Sequence, residues 1–431
     1  MNYDKDFTYL VSCRPLENNY KYYQAIKKGD LFECTRGRIG SFIKEKDKDH
    51  SKWRSKYRNS ISERKGYLDR SEFFELLSLK ETTNDDGLEY NISDKEIHDL
   101  IVYFVNASNM AIKENYVLSD VLPNEKLFIR VQELIDNIRK ELKINCNIKS
   151  INDDYLELIS LSQRKIKKVK SALFTEITDK DELQEAFDKI NNEQDLLNTL
   201  ESQIKSKKDE IKQEIEKLKN EDKTNNKFDI LESLGLIIEH VNKEEEKEIK
   251  RIIREESNTN NKNYKKAYRI TNVKQQKIFD EYVKNSNNKK TMLLWHGSKT
   301  QNYLSIVEKS LMIRYSNASF HGDLFSSGIY FANSNRKSFG YTNGGYWIGG
   351  TQSLKQILLL FDVHIGNQYH INSGVDYDSD TKLDKYCNQN KYDSVYAHSG
   401  LIIDGGNDLK NDELIIYDNK QCTPKYIVEF E

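Results

Sequence analysis

The stretch MLLWHGSKTQN at residues 292–302 decides the fold, because its apolar run stops abruptly at His296, Gly297 and Ser298. The apolar run predicts a β-strand. A strand that ends in polar side chains presents them from a rigid sheet, which suits a functional site. A glycine after the histidine lets a ligand reach the backbone N–H and C=O closely. Taken alone, however, His296 is better explained as a structural histidine at a strand end.

The sequence around this stretch predicts a sheet domain. Of the 19 glycines, 13 lie after residue 290, where Gly, Asn, Asp and Ser separate short aromatic and β-branched runs. Such runs are typical of strands, and the candidates are MLLWHG, GIYFA, QILLLFDVHIG, DSVYA, GLIID, ELIIY and KYIVEF. No long helical pattern separates them. We therefore predict a mostly antiparallel α+β domain over 264–431 rather than a doubly wound parallel sheet.

Two further clusters place polar side chains beside predicted strands. In DLFSSGIYFANSNRKSFGYT, Tyr330 follows a loop rich in Ser, Asn and Gly at 316–327, and Ser338 and Tyr341 come soon after. Ser338 offers a hydrogen-bond donor and acceptor, and Tyr341 offers a flat face for stacking. In NDELIIYD, Glu413 opens an apolar strand. Each cluster alone also fits a structural role, as core aromatic residues or as a solvated strand end.

The glycine-poor region 92–255 predicts a helical domain. IHDLIVYFVNASNMAI, LFIRVQELIDNIRKEL and FDILESLGLIIEHV carry apolar residues at three- and four-residue steps, the period of an amphipathic helix. Between them, one face of a very polar helix carries Leu197, Leu200, Ile204, Ile211, Ile215 and Leu218. A solvated antiparallel helix pair explains this stripe better than a coiled-coil dimer, because Lys207 and Lys208 interrupt it.

The first 85 residues predict a small, β-rich, basic domain. Between Arg36 and Lys65 the chain has eleven Lys or Arg and four Asp or Glu, a net charge of +7. The whole chain has a net charge of −2, so it is not a uniformly basic nucleic-acid coat protein, although a local basic patch is compatible with that value. The polar stretch ESNTNNKN at 256–263 predicts a linker before the sheet domain.

Several other classes of protein and site lack their signatures. No apolar run approaches a membrane span, no secretory signal is visible at the N-terminus, and the five cysteines form no CxxC pair. We therefore expect an intracellular, reduced protein that makes no membrane contact. Dinucleotide, P-loop, zinc-protease and serine-hydrolase motifs are missing from the sequence. His364 and His370 have no carboxylate or cysteine to complete a metal set, so we predict no metal site.

The ordered set of LLWHGS, GIYFA with a following KS and tyrosine, and a late strand that begins with Glu resembles the catalytic domain of the poly(ADP-ribose) polymerases. The resemblance covers about 264–431 and implies a split antiparallel NAD site with a triad of His296, Tyr330 and Glu413. It implies further NAD contacts from Gly297, Ser298, Asn302, Arg314, Lys337, Ser338 and Tyr341. Met312 occupies the place of a family arginine, and Arg314 follows two residues later. The resemblance also implies a donor loop at 316–327 and an acceptor loop at 404–412.

The other two regions resemble further parts of the same family. Residues 92–255 are similar to its helical regulatory domain. YYQAIKKGDLFECTRGRIGSF and KGYLDRSEFF resemble a WGR domain, with Arg36 where the naming tryptophan would stand. That resemblance implies binding to DNA ends through residues such as Arg36, Arg38, Lys52, Arg54 and Lys56. A small basic β domain with an ordinary solvated surface remains the alternative.

Together, these resemblances imply an NAD-dependent protein ADP-ribosyltransferase that forms poly(ADP-ribose), is stimulated by DNA ends or breaks, and modifies protein acceptors including itself. NAD is then the ADP-ribose donor, and Glu413 acts on the ribose next to the nicotinamide. The implied compartment is the nucleus in a eukaryote and the cytoplasm otherwise. A mono-ADP-ribosyltransferase of the same fold and a catalytically silent scaffold that binds NAD or DNA remain open as alternatives.

Overall fold

The computed structural model describes residues 5–41, 43–76, 89–117, 121–144, 146–219, 228–255, 264–313, 324–342, 355–378, 381–406 and 408–431. The chain divides into two compact units. The first comprises Met1–Asp85 and Asn109–Ile204, and the second comprises Asp86–Ser108 and Lys205–Glu431. Helix and strand bounds below follow the order of the chain.

The N-terminal region forms a sheet with one packed helix, and the strands predicted there are present. Its elements are β1 (Phe7–Arg14), β2 (Asn19–Lys28), β3 (Leu31–Arg38), β4 (Ile43–Lys44), β5 (Lys48–Asp49), α1 (His50–Ser60), β6 (Leu68–Asp69) and β7 (Phe74–Leu76). Gly29, with φ +64°, provides the tight turn between β2 and β3. Trp53 of α1 is fully buried, and its ring lies 5.8 Å from the rings of both Tyr23 and Phe32. The helix therefore closes the core of this sheet.

The middle of the chain is helical, as its apolar periodicity predicted. Its elements are α2 (Lys95–Asn115), β8 (Val121–Pro123), α3 (Glu125–Ile144), α4 (Ile148–Leu161), α5 (Val169–Ala172) and α6 (Lys180–Lys219). Leu197, Leu200 and Ile204 on α6 are buried. A buried ion pair joins Arg164 to Glu193, with Nε 2.9 Å from Oε2. The face of α6 that the sequence marked as apolar is thus a packed face over this length.

The helix predicted for FDILESLGLIIEHV is wrong over its second half. The chain forms α7 (Ile230–Leu234) and then β9 (Leu236–His240). Gly235 has φ +67° and ends the helix in the left-handed conformation that glycine adopts at helix C-termini. The following β-branched residues then pair with a neighbouring strand, so the alternating pattern of LIIEH prevails over the helical period.

Two larger sheets and a two-stranded sheet of β15 and β17 form the described C-terminal part, and all seven predicted strands are present. The remaining elements are α8 (Lys243–Glu255), β10 (Tyr264–Asn272), α9 (Val273–Asn285), β11 (Thr291–His296), α10 (Tyr303–Lys309), β12 (Ile329–Phe331), α11 (Asn335–Phe339), β13 (Gln356–His364), β14 (Gln368–Ile371), β15 (Asp376–Tyr377), α12 (Leu383–Asn390), β16 (Ser394–Ala397), β17 (Ile402–Ile403), β18 (Glu413–Ile416) and β19 (Cys422–Phe430). One sheet has the order β11-β13-β19-β10-β9, and the other has the order β12-β18-β16-β14. Only the β14–β16 and β15–β17 pairs are parallel among the described strands.

The two sheets meet where β11 ends. Trp295 and Ala332 exchange backbone hydrogen bonds, with N···O distances of 2.9 and 3.1 Å. This bridge joins the end of β11 to the residue that follows β12. It brings the polar residues that follow each strand to one place. In the part of the chain that the structure describes, no helix has both the length and the apolar character needed to cross a membrane.

Candidate active site

His296 is the last residue of β11 and is half-buried. The edge of its ring faces the rings of Phe331 and Phe361, with centroid distances of 6.1 and 6.0 Å. Its Nδ1 lies 3.4 Å from the carbonyl oxygen of Tyr330. The apolar core thus holds one side of the imidazole, and strand β12 lies beside it.

Tyr330 lies in the middle of β12, opposite Ile415 of β18. Its hydroxyl donates to the carbonyl oxygen of Ser326 at 2.7 Å and accepts from the backbone N–H of Phe325 at 2.9 Å. Ser326 has φ +66°, a conformation that costs energy for a residue with a side chain. Its own hydroxyl accepts from the N–H of Leu383, at the start of α12, at 2.8 Å. The Tyr330 hydroxyl therefore holds the loop that precedes β12.

Glu413 is the first residue of β18 and pairs with Ala397 of β16. Its Oε1 lies 2.5 Å from Nζ of Lys337, and both side chains are only 11–12 % exposed. Because successive strand residues alternate between faces, Glu413 lies on the same face as Ile415, and therefore on the same face as Tyr330. The family resemblance implied that Tyr330 and Glu413 act together with His296, and that Lys337 contacts NAD. The structure places Tyr330, Glu413 and Lys337 around one face of the sheet.

Gly297 lies against the backbone of Ser338, which follows Lys337 on α11. A Cβ added at Gly297 would be 1.8 Å from the Ser338 carbonyl oxygen and 2.7 Å from its carbonyl carbon. No side chain fits there, so only a glycine allows these two backbone segments to approach so closely. The helix α11 then ends, and the Tyr341 N–H donates to the Ser338 carbonyl oxygen at 3.2 Å.

Ser298 and Asn302 are also brought together. The Asn302 side-chain amide donates to Oγ of Ser298 at 3.1 Å, across a short helical turn that leads into α10. Arg314 lies outside the described residues, as does the part of the predicted donor loop before residue 324. The predicted acceptor loop at 404–412 is described except for residue 407.

The basic residues predicted to contact DNA have different surroundings in the N-terminal unit. Arg36 makes an ion pair with Glu45, with Nε 2.5 Å from Oε1, and Lys52 pairs with Asp49 at 2.9 Å. Arg54 is exposed on α1. Their role in DNA binding stays a prediction.

Lys56 and Arg38 are engaged within the unit. The ammonium of Lys56 lies 4.7 Å from the centre of the Tyr23 ring, and burial lowers the pKa of Lys56. The guanidinium of Arg38 donates to the carbonyl oxygens of Asn18, Ile166 and Lys167 at 2.7–3.1 Å. Through these contacts Arg38 links β3 to the turn at 164–169, a structural role that the basic pattern of the sequence did not indicate.

Sequence reasoning missed a polar cluster next to Glu413. The carboxylate of Asp412 accepts from the Tyr396 hydroxyl at 2.6 Å, from the Asn333 amide at 2.9 Å and from the Ser399 N–H at 2.8 Å. Burial acts to raise the pKa of Asp412, but these donors outweigh it and lower the pKa below its usual value. The only sequence signal is its place directly before Glu413. Among the residues that the structure describes, no group of three or more His, Cys, Asp or Glu is arranged to hold a metal ion.

Comparison with known proteins identifies the family. The poly(ADP-ribose) polymerase catalytic domain model matches residues 243–431. A poly(ADP-ribose) polymerase-like protein of Invertebrate iridescent virus 6 is 34 % identical over 165 residues, which are 38 % of this chain and 83 % of the viral protein. Poly(ADP-ribose) polymerase 2 of Arabidopsis thaliana is 26 % identical over 35 % of this chain and 25 % of its own length.

Poly(ADP-ribose) polymerase 1 of Gallus gallus is 32 % identical over 32 % of this chain and 15 % of its own length. The chain thus spans most of the viral relative but a quarter or less of the plant and chicken proteins. The strands that carry His296, Tyr330 and Glu413 lie inside the matched region. The chain belongs to the poly(ADP-ribose) polymerase family, and its C-terminal part is an NAD+ ADP-ribosyltransferase catalytic domain.

Proposed function

We propose that this protein transfers ADP-ribose from NAD to protein acceptors, extends it to a polymer, and is stimulated by DNA ends. The observation that carries the proposal is the buried contact between Lys337 and Glu413 on the face of the sheet that also holds Tyr330. A carboxylate that a lysine holds in place is suited to stabilise positive charge on a sugar and to accept a proton from an attacking group.

The residues present fit the donor substrate. NAD supplies an activated bond between nicotinamide and ribose. Gly297 packs directly against the Ser338 backbone, and in this proposal its N–H and C=O pair with the carboxamide of nicotinamide while the Ser338 hydroxyl adds a further hydrogen bond. Tyr341 and Tyr330 provide aromatic faces, and a cationic ring over such a face is stabilised by about 0.5–2 kcal/mol. Ser298 and Asn302 are assigned to the adenosine side.

His296, Glu413 and Lys337 each have a distinct role in this proposal, in addition to the aromatic face that Tyr330 provides. His296 orients the adenosine ribose through a hydrogen bond from its imidazole. Glu413 binds the 2′-hydroxyl of the nicotinamide ribose and offers negative charge to the anomeric carbon. Lys337 holds the Glu413 carboxylate in place through their ion pair. The presence of His296, Tyr330 and Glu413 together supports polymer formation over a single transfer.

A contact within the second unit supports regulation by the helical region. The Ser108 hydroxyl of α2 donates to the Gln301 carbonyl oxygen at 2.9 Å, and the ring of Phe104 lies 5.4 Å from the ring of Tyr303. These contacts flank Asn302. In our proposal, DNA at the basic N-terminal surface shifts the helices toward a state in which NAD enters more easily. A large effect requires DNA to favour that state by several kcal/mol.

The test is incubation of the full chain with labelled NAD, with and without nicked DNA, followed by gel electrophoresis and by measurement of nicotinamide release. We expect release in both samples, faster release with DNA, and a ladder of modified protein. Equal rates would refute stimulation, and a single shifted band would favour the mono-transferase. DNA bound without nicotinamide release would favour the silent scaffold.

A second test concerns the basic surface. Each phosphate contact contributes about −0.9 to the slope of log affinity against log salt for duplex DNA. Replacement of Lys52 and Arg54 by Gln is expected to weaken binding to all DNA sequences alike and to flatten this slope. Wild-type affinity and slope in that double variant would contradict the assignment of this surface.

A further inference from the structure

Asp412 lies directly before Glu413, at the point where the chain enters β18. Its Oδ2 accepts from the Tyr396 hydroxyl at 2.6 Å and from the Asn333 side-chain amide at 2.9 Å, and its Oδ1 accepts from the Ser399 N–H at 2.8 Å. The three donors come from the exit of β12, from β16 and from the turn after β16. One carboxylate thus ties together the strands that flank β18.

The donors of this cluster are themselves fixed. The Asn333 amide also donates to the Tyr396 hydroxyl at 3.1 Å, which closes a triangle of hydrogen bonds. The Tyr396 ring is stacked on the His370 ring with centroids 5.2 Å apart, and the His398 ring lies 4.5 Å from it. The packed rings therefore fix the direction of the Tyr396 hydroxyl, which donates to Asp412. A rigid support of this kind also fixes the position of the next residue in the chain.

Glu413 lies at the end of a strand rather than in its middle. It is the first residue of β18, and its partner in the sheet is Ala397, the last residue of β16. Lys337 holds the carboxylate end of the side chain. Since residues 412 and 413 are consecutive, loss of the Asp412 contacts allows the start of β18 to move and takes the Glu413 carboxylate away from its place.

We propose that Asp412 is a positioning residue, which holds Glu413 at the reacting ribose through the Tyr396, Asn333 and Ser399 contacts. This inference rests on the proposed function. It predicts a defect mainly in the chemical step, because the other donor contacts assigned above, Gly297, Ser298, Asn302, Ser338 and Tyr341, lie outside β18 and outside the Asp412 contacts. Glu413 contributes most when positive charge develops on the ribose.

The test compares steady-state nicotinamide release by the full-length parent and by Asp412→Asn and Tyr396→Phe variants. A displacement of about 1 Å in a reacting group costs roughly 100-fold in rate. We therefore expect kcat to fall about 10–100-fold in Asp412→Asn and less in Tyr396→Phe, with the KM for NAD within about twofold of the parent. The double variant should lose less than the product of the two single effects, since both remove the same contact.

Tyr57→Phe is the matched control. The Tyr57 hydroxyl donates to Oδ2 of Asp69 at 2.7 Å, a tyrosine–aspartate bond of nearly the same length in the other unit. Its loss should lower stability without changing kcat measured in the absence of DNA.

Two results would overturn the inference, and they are distinguishable. A kcat equal to that of an active parent in Asp412→Asn, or in Tyr396→Phe if the first variant does not fold, refutes the positioning role alone. A parent that releases no nicotinamide refutes the proposed function, and this inference with it. A rise in KM at unchanged kcat would instead assign Asp412 to donor binding and contradict the positioning role.

Discussion

Replacement of Gly297 by alanine should disable the proposed nicotinamide pocket through sterics alone. The new Cβ would lie 1.8 Å from the Ser338 carbonyl oxygen, whereas real Cβ contacts are essentially never shorter than 3.0 Å, so the two segments must separate by about 1.2 Å. Both are backbone, and neither can rotate out of the way. A displacement of this size in a binding cradle costs about 100-fold in kcat/KM, and overpacking costs about 1–3 kcal/mol of stability.

The assay is nicotinamide release at a series of NAD concentrations, with circular dichroism to measure stability. Gly366→Ala is the control, because its Cβ would lie 2.2 Å from Oδ2 of Asp393 at a positive φ of +47°, in a turn between β13 and β14. Both variants should lose stability, but only Gly297→Ala should lose kcat/KM. Parental kcat/KM in Gly297→Ala would refute the assignment of this cradle to the donor.

Two more substitutions test separate parts of the account. Tyr330→Phe keeps the ring but removes the hydroxyl that bonds to Ser326 and Phe325, and each of these hydrogen bonds is worth about 0.5–1.5 kcal/mol. We expect the KM for NAD to rise by up to about tenfold. An unchanged KM would contradict the role of this hydroxyl in holding the loop. Lys189 is buried against Phe174, and burial lowers its pKa to about 8. The folded state therefore binds fewer protons than the unfolded state between pH 8 and the ordinary lysine value near 10.5, so stability rises with pH across that window. Lys189→Met should be about 1 kcal/mol more stable than the parent at pH 7. Urea unfolding at pH 7, 9 and 10 should show that this difference in unfolding free energy becomes smaller as the pH rises. A difference that stays constant with pH would contradict the lowered pKa of Lys189.

Apolar patterning was sufficient to predict most of the elements. Runs such as QILLLFDVHIG predict a strand, because a run of aliphatic and aromatic residues that ends at Gly366 and Asn367 is typical of strands. The helix prediction around Gly235 failed because the apolar spacing of ILESL and LIIEH fits both a helix and a strand. The decision there came from pairing with β10, which is a tertiary contact that local sequence does not encode.

The candidate site shows the same division. The triad residues were predicted from a family resemblance in short motifs, and two of them, His296 and Glu413, lie at strand ends. Their contacts were not: Lys337 was predicted only as an NAD contact, and its ion pair with Glu413, many residues away, forms only when β12 and β18 pair. Asp412 and Asn333 are ordinary loop residues in the sequence and become a cluster only through the sheet. Arg38 looked like a DNA contact by its charge, yet its guanidinium meets three carbonyl groups.

The most direct test of the central claim is a comparison of the parent with Glu413→Gln. The substitution keeps the size of the side chain, removes its charge and leaves the Lys337 ammonium, 2.5 Å away, without its ion-pair partner. With labelled NAD and nicked DNA, we predict that the parent builds a ladder of modified protein and that Glu413→Gln builds none, with nicotinamide release lowered by about 100-fold or more. A variant that releases nicotinamide and forms polymer at the parental rate would show that this carboxylate does not carry the reaction.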